Sequence, residues 1–226
     1  MKYDNIHEGV FLSRPNRFIA KVLIHGKEEV CHVKNTGRCR ELLIPGATVF
    51  LQKADLPHRK TQYDLIGVRK GKRLVNMDSQ VPNKVFHEWL EKGYFPDLSL
   101  IKPEYTFGKS RFDFYLEAGS RKILVEVKGV TLEEDGVALF PDAPTERGVK
   151  HLQELSQALD FGYEAYVFFI IQMKEIQYFT PNGKTHKAFA EALVQAAKAG
   201  VKVLALTCHV TEDSIQAGDF VEVRLE

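Results

Sequence analysis

The sequence predicts an α/β protein, α+β overall, in two parts. A small all-β barrel or sandwich is expected over residues 1–80, and a mixed sheet with helices on its faces over residues 81–226. Three observations predict this. The first eighty residues hold short apolar runs broken by Gly and Pro turns, and the remainder alternates helical and strand periodicity. The charge also changes sign at the junction. Residues 1–80 carry 15 Lys/Arg against 8 Asp/Glu, a balance of +7, and the rest is −6, within a net charge of +1.

In the first part, strands are expected at Val10–Leu12, Arg17–His25, Glu29–Val33, Ala47–Lys53, Tyr63–Arg69 and Arg73–Asn76. Turns at His25-Gly26-Lys27, Pro45-Gly46 and Lys70-Gly71-Lys72 separate them, and residues 36–43 are read as one helical turn. Closely spaced strands without a long helix favour a barrel or sandwich. In the second part, Pro82 opens a helix running to about Glu91 with Val85, Phe86, Trp89 and Leu90 on its apolar side. Two strands follow, Arg111–Leu116 and Lys122–Lys128. Thr145 is read as the N-cap of a helix through Leu159, with Val149, Leu152, Leu155 and Leu159 on one face. Tyr166–Ile171 and Val201–Thr207 read as buried strands, and a helix over Lys187–Ala199 ends at Gly200.

Of the 226 residues, 44% are hydrophobic and 27% charged, which excludes collagenous and disordered classes and leaves enough apolar mass for a real core. No apolar run is long enough to span a bilayer, so no membrane association is expected. The N-terminus lacks the regions of a signal peptide, and the odd set Cys31, Cys39 and Cys208 reads as reduced thiols, so a cytoplasmic location is expected. Cys31, His32 and Cys39 lack a second close pair, which argues against zinc. The basic first part suggests a polyanionic partner, because Lys and Arg bind phosphates by releasing condensed counterions.

The most informative segment is Arg111-Phe112-Asp113-Phe114-Tyr115-Leu116 followed by Ile123-Leu124-Val125-Glu126-Val127-Lys128. Side chains alternate faces along a strand, so Glu126 and Lys128 project together, with Phe112 and Phe114 on the face opposite Asp113. A hairpin would set Asp113 beside Glu126 and Lys128. Two hard oxygen ligands suit Mg²⁺ or Mn²⁺, a bound metal would polarise a phosphodiester, and Lys128 would stabilise developing charge. A structural salt bridge between Glu126 and Lys128 is the plain alternative.

These residues resemble the D…(E)xK arrangement of PD-(D/E)xK restriction-endonuclease-like proteins, although Phe112 stands where that pattern has Pro. The whole chain resembles the sugar fermentation stimulation protein A (SfsA) family through His32–Arg38, Gly108–Phe114, Val125–Lys128 and Phe140–Gly148. The resemblance implies an N-terminal OB-like barrel and a restriction-endonuclease-like mixed sheet flanked by helices. It implies non-specific DNA binding and a regulatory part in sugar (maltose) metabolism in bacteria; a nucleoid-associated place within the cytoplasm is allowed. It assigns Asp113 and Glu126 to the metal and Lys128 to catalysis.

Supporting residues follow. Glu88 on the first helix of the second part is a further carboxylate for the metal, and Glu104 also qualifies. Lys34, Arg38 and Arg40 form a basic cluster for nucleic acid, with Phe11, Phe18, Phe50 and Tyr63 as aromatic neighbours. Arg111 belongs to the nucleic-acid set, and Arg147 and His151, on the polar side of the Thr145 helix with Lys150 and Glu154, are expected near a phosphate. The expected function is a DNA-binding protein with an Mg²⁺-dependent nuclease site. A DNA-binding regulator without catalysis is the alternative, and carbohydrate binding ranks last. A homodimer through an exposed sheet edge is allowed.

Overall fold

The computed structural model describes residues 1–35, 37–54 and 59–225. Six strands open the chain: β1 (Ile6–Asn16), β2 (Ile19–Ile24), β3 (Lys27–Val33), β4 (Thr48–Lys53), β5 (Tyr63–Lys70) and β6 (Arg73–Asn76). The β1–β2 and β2–β3 hairpins put inward Phe11, Ala20, Val22 and Cys31 into one core with Val49, Leu51 and Leu65 of β4 and β5. The parallel pairing of β3 with β5 closes the ring β1-β2-β3-β5-β4, an OB-like five-stranded barrel. Of the four aromatics considered for stacking, Phe11, Phe50 and Tyr63 are core and only Phe18 is exposed, at 48%. The expected helical turn is a single hydrogen-bonded turn, Leu43 N–H to the Cys39 carbonyl at 3.0 Å. Cys39 lies in the left-handed region (φ 45°), and Thr36 lies outside the described residues.

Beyond the barrel come α1 (Val81–Leu90), β7 (Leu98–Phe107), β8 (Ser110–Ala118), β9 (Arg121–Val130), β10 (Leu132–Glu134), β11 (Val137–Phe140), α2 (Glu146–Leu159), β12 (Glu164–Ile171), β13 (Tyr178–Pro181), α3 (Lys187–Ala199), β14 (Lys202–Val210) and β15 (Ile215–Val223). Among the described residues these strands form one mixed sheet in the order β10-β11-β13-β15-β14-β12-β9-β8-β7. β12 runs parallel to both β9 and β14, and its near-continuous apolar run, Ala165–Ile171, is buried on both faces. α1 covers one face through Val85, Phe86 and Trp89, while α2 and α3 cover the other through Leu152, Leu155, Phe189 and Leu193. The Thr145 hydroxyl accepts the Gly148 N–H at 3.1 Å, and Gly200 closes α3 in the left-handed conformation (φ 114°). No helix among the described residues is long and apolar enough to cross a membrane.

The two parts are stitched together. The Lys70 and Arg73 side chains meet the buried Glu133 carboxylate at 2.7 and 2.8 Å, and Lys70 also donates to the Glu133 carbonyl. Gln172 Nε2 reaches the Asn76 carbonyl, the Asn76 side chain and the Asp78 carbonyl across the junction. Residues 1–3 belong with the second part: Tyr3 N–H donates to the Asp213 carbonyl, and Lys2 bridges to Ser214. The connector from β6 to α1 is therefore gripped from both sides, which fixes the barrel's loops against the sheet.

Candidate active site

The β8–β9 hairpin runs from Ala118↔Arg121 to Phe114↔Val125, and the ladder stops there. At the next rung the Asp113 carboxylate replaces a backbone acceptor: its Oδ2 takes the Val127 N–H at 2.8 Å, and its Oδ1 takes the Asn83 amide of α1 at 2.8 Å. The strict alternation expected for this strand therefore fails. Phe112 packs with Leu124, Leu152 and Leu155 on the α2 side, whereas Phe114 packs with Phe86 and Val125 on the α1 side. The chain changes face at Asp113, opposite Glu104 of the edge strand β7, whose φ of 55° is rare for a residue with a side chain.

Glu126 lies on β9 next to the residue whose N–H Asp113 accepts, and it is only 3% exposed. Its Oε1 accepts from Lys128 Nζ at 2.5 Å and from His151 Nδ1 at 2.6 Å. His151 in turn receives the Arg147 Nε–H at its Nε2, 3.2 Å away, so Nε2 is the acceptor and Nδ1 carries the proton donated to Glu126. The second oxygen, Glu126 Oε2, is buried with no hydrogen-bond partner among the described residues. A buried carboxylate oxygen without a donor is costly, which makes this atom the natural acceptor for a ligand not yet counted. Asp113, Glu126, Lys128, Asn83, Gln80 and Arg147 line one cleft of about 280 Å³.

Electrostatics separates the two carboxylates. Burial and the neighbouring charge of Glu126 push the Asp113 carboxyl above its ordinary range, against the hydrogen bonds from Val127 and Asn83. Burial also pushes Glu126 upward, but the His151 hydrogen bond and the Lys128 charge outweigh it and hold this carboxyl below the usual range. For Asp113 the sign follows directly. A carboxyl raised by folding costs stability once it is charged, and the cost sets in as pH rises through the ordinary carboxylate range. Asp113→Asn is therefore expected to melt higher than the wild type at neutral pH when metal-free, its oxygen keeping the Val127 N–H while the Asn83 amide turns its own oxygen to the new N–H₂. Thermal melts in EDTA check this, and a lower midpoint in the variant contradicts it.

Several expected residues stand elsewhere. Glu88 Oε2 is held by the Met1 ammonium at 2.7 Å, and the residue lines a neighbouring cavity with His87 and Glu104, which meets the Glu126 cleft at Asp113 and Asn83. Lys34 is not a free nucleic-acid contact: its ammonium, 19% exposed, pairs at 2.6 Å with Asp78, a buried carboxylate that needs a cation. His151 is not on a solvated face either. It is 3% exposed, because α2 packs against β8 and β9 and turns it inward onto Glu126. Arg147 is exposed at the cleft rim, and Arg111 is exposed beside Glu104 at 3.5 Å. Arg38 and Arg40 are exposed on the barrel. The sequence reading missed Arg14, whose guanidinium donates to the carbonyls of Arg38, Arg17 and Asn35 and shapes the whole loop. It also missed Asn83, whose spacing of one residue past Pro82 gave no signal.

A closed OB-like barrel docked on a mixed sheet, with a carboxylate–carboxylate–lysine cleft at their junction, defines a two-domain class. Its N-terminal model, the SfsA N-terminal OB domain, matches residues 12–77, and the sugar fermentation stimulation protein RE domain matches residues 80–214. The chain belongs to the sugar fermentation stimulation protein (SfsA) family. It is 80% identical over 225 residues to a sugar fermentation stimulation protein homolog of Desulfitobacterium hafniense, covering 100% of this chain and 99% of the relative. A homolog from Clostridium beijerinckii is 61% identical over 226 residues, all of both chains. The solved structure of Pyrococcus furiosus SfsA in complex with Ca²⁺ superposes with a TM-score of 0.87 at 30% identity, covering 99% of this chain and 98% of that one.

Proposed function

We propose that this protein binds DNA and cleaves its phosphodiester bonds with a divalent cation, Mg²⁺ or Mn²⁺, held by Asp113 and Glu126. The observation that carries the reading is the buried Oε2 of Glu126, without a partner among the described residues, beside a second carboxylate whose pKa is raised by burial and by the charge of Glu126. Two hard oxygen donors in a polar cleft fit such a cation. The archaeal relative was solved with Ca²⁺, which takes the same donor type. When bound, the cation supplies Lewis-acid polarisation of the phosphodiester and a more acidic attacking water.

The chain's own groups do the rest. Lys128 keeps a positive charge at the cleft, where charge grows on the scissile phosphate. His151 holds Glu126 Oε1 and leaves Oε2 without a donor for a cation to meet, and Arg147 fixes the His151 tautomer while offering the rest of its guanidinium to a phosphate. His151 is thus a positioning residue. By analogy with groups that orient metal ligands, His151→Phe should weaken metal affinity by about 10–100-fold. A Mn²⁺ titration of the DNA-free protein checks it; unchanged affinity would reduce His151 to a packing role.

The reading is tested with labelled single-stranded, duplex, flapped and branched DNAs incubated with Mg²⁺, Mn²⁺ or EDTA. Metal-dependent products, lost in Lys128→Ala, are expected. DNA bound but uncut under every metal, identically in the variant, would leave a DNA-binding regulator on an inherited nuclease fold.

A further inference from the structure

The cleft at Glu126 does not stand alone. It shares Ser79 and Thr145 with a cavity of about 390 Å³ between the barrel and the sheet. That cavity shares Arg17 and Gly37 with a third, of about 300 Å³, on the barrel. The three cavities adjoin through these shared residues and form a row, the trough, from the barrel's β1–β2 turn to the two carboxylates. Its far end is lined by Arg14, Arg17, Arg38 and Arg40.

The four arginines are not equivalent. Arg14 is spent on three carbonyls and ties the loop to the β1–β2 turn. Arg17, Arg38 and Arg40 are exposed and make no ion pair among the described residues. Phe18, the next residue after Arg17, is 48% exposed, with the Arg17 guanidinium 5.3 Å from its ring centre. Asn16 Oδ1 accepts the Phe18 and Ile19 N–H groups and holds that turn in place. The one carboxylate in the middle cavity, Asp142, accepts the Arg38 N–H at 2.9 Å; its charge opposes a phosphate there, so the phosphate contacts fall to the arginines at the far end.

Unpaired guanidiniums beside an exposed aromatic are the equipment of a single-strand site: the cations track phosphates and the ring stacks a base. The shape of the trough argues the same way. It leads inward to a carboxylate only 3% exposed. Duplex DNA, with a persistence length of about 150 base pairs, cannot follow such a path without a large bending cost, whereas a single strand can. We infer that Arg17, Arg38, Arg40 and Phe18 form an anchoring subsite for single-stranded DNA, from which a single-stranded tail is led through the interdomain trough to Glu126. The inference rests on the nuclease reading for what happens at the end of the trough, but not for the binding itself.

The test is fluorescence anisotropy in EDTA, where no strand is cut. The probes are a single strand of about 16 nucleotides, the upper end of an OB-fold footprint, the matching blunt duplex, and that duplex with a single-stranded tail. The single strand and the tailed duplex are expected to bind at least about tenfold tighter than the blunt duplex. In Arg17→Ala/Arg38→Ala/Arg40→Ala this advantage disappears, and the slope of log affinity against log salt becomes shallower by about 2, since each single-strand phosphate contact contributes about 0.7. Lys198→Ala on α3 should match wild type. If the triple variant melts early, Arg40→Ala alone should still flatten the slope by about 0.7, because its guanidinium holds no described part of the fold. Equal binding of the blunt duplex, or an unchanged salt slope, overturns the inference. The two readings fail separately. Tight single-strand binding in EDTA without product under any metal sinks the nuclease reading alone. Metal-dependent cutting of blunt duplex, indifferent to the three arginines, sinks the subsite alone.

Discussion

Replacing Glu126 by glutamine is expected to lower metal-dependent DNA cleavage by at least about a thousandfold, the effect of losing roughly 4 kcal/mol of transition-state charge stabilisation. Glutamine keeps an oxygen for Lys128 and His151 but puts an amide N–H₂ where Oε2 has no partner, so the metal loses a ligand while the side-chain shape is kept. Its effect on folding should be opposite to that of Asp113→Asn. Folding lowers the Glu126 pKa, so its charge stabilises the protein above the ordinary carboxylate range, and that stability is lost as pH falls through the lowered folded value. Removing the charge at neutral pH forfeits it and leaves a buried amide unsatisfied, at about 1–3 kcal/mol. Opposite shifts of the two variants in EDTA, with cleavage lost in both, would show that the two carboxylates serve one site. A Glu126→Gln variant that cuts at the wild-type rate contradicts the assignment.

The second large effect lies away from the cleft. Glu133 of β10 is buried and receives Lys70, Arg73 and the Gly136 N–H. Removing one member of a buried ion cluster leaves the others charged and desolvated. Glu133→Ala is accordingly expected to cost about 2–4 kcal/mol, at the lower end of the usual range because Lys70 is partly solvated. Lys70 and Arg73 belong to the barrel and Glu133 to the sheet, so the loss falls on the joint between them. Burial raises the Glu133 carboxyl, but the hydrogen bonds from Lys70, Gly136 and Arg73 pull it below its ordinary range. The contribution is therefore complete above that range and fades as pH falls through the lowered value. Urea melts at pH 7 and at about pH 3 check both points: the gap between wild type and variant should be wide at the first and narrow at the second. A constant gap would contradict the ionic account.

What was legible in the sequence follows physical rules with short reach. Glu126 and Lys128 share a face because strand periodicity is 2, Thr145 caps because its hydroxyl finds the Gly148 N–H, and Gly200 ends α3 because it alone tolerates φ of 114° there. The edge strand β7 was not legible: it exposes most of its residues and carries Pro103, so neither alternation nor an apolar run marks it. β15 likewise has one buried residue in nine and no clean alternation. At Asp113 the alternation rule misleads, because the strand leaves its ladder and a side chain takes the place of a backbone acceptor. His151 did carry a signal. It precedes Leu155 by four positions and so borders the apolar stripe of α2, where a polar residue turned inward needs a buried partner. Arg14 carried none, since its partners are all backbone carbonyls.

The most direct measurement is a calorimetric titration of Mn²⁺ into the DNA-free wild-type protein, Asp113→Asn and Glu126→Gln at neutral pH. Saturable binding to the wild type, lost in both variants, is expected, because each variant removes one of the two carboxylates that hold the cation. Equal binding to all three proteins, or none to the wild type, would contradict this.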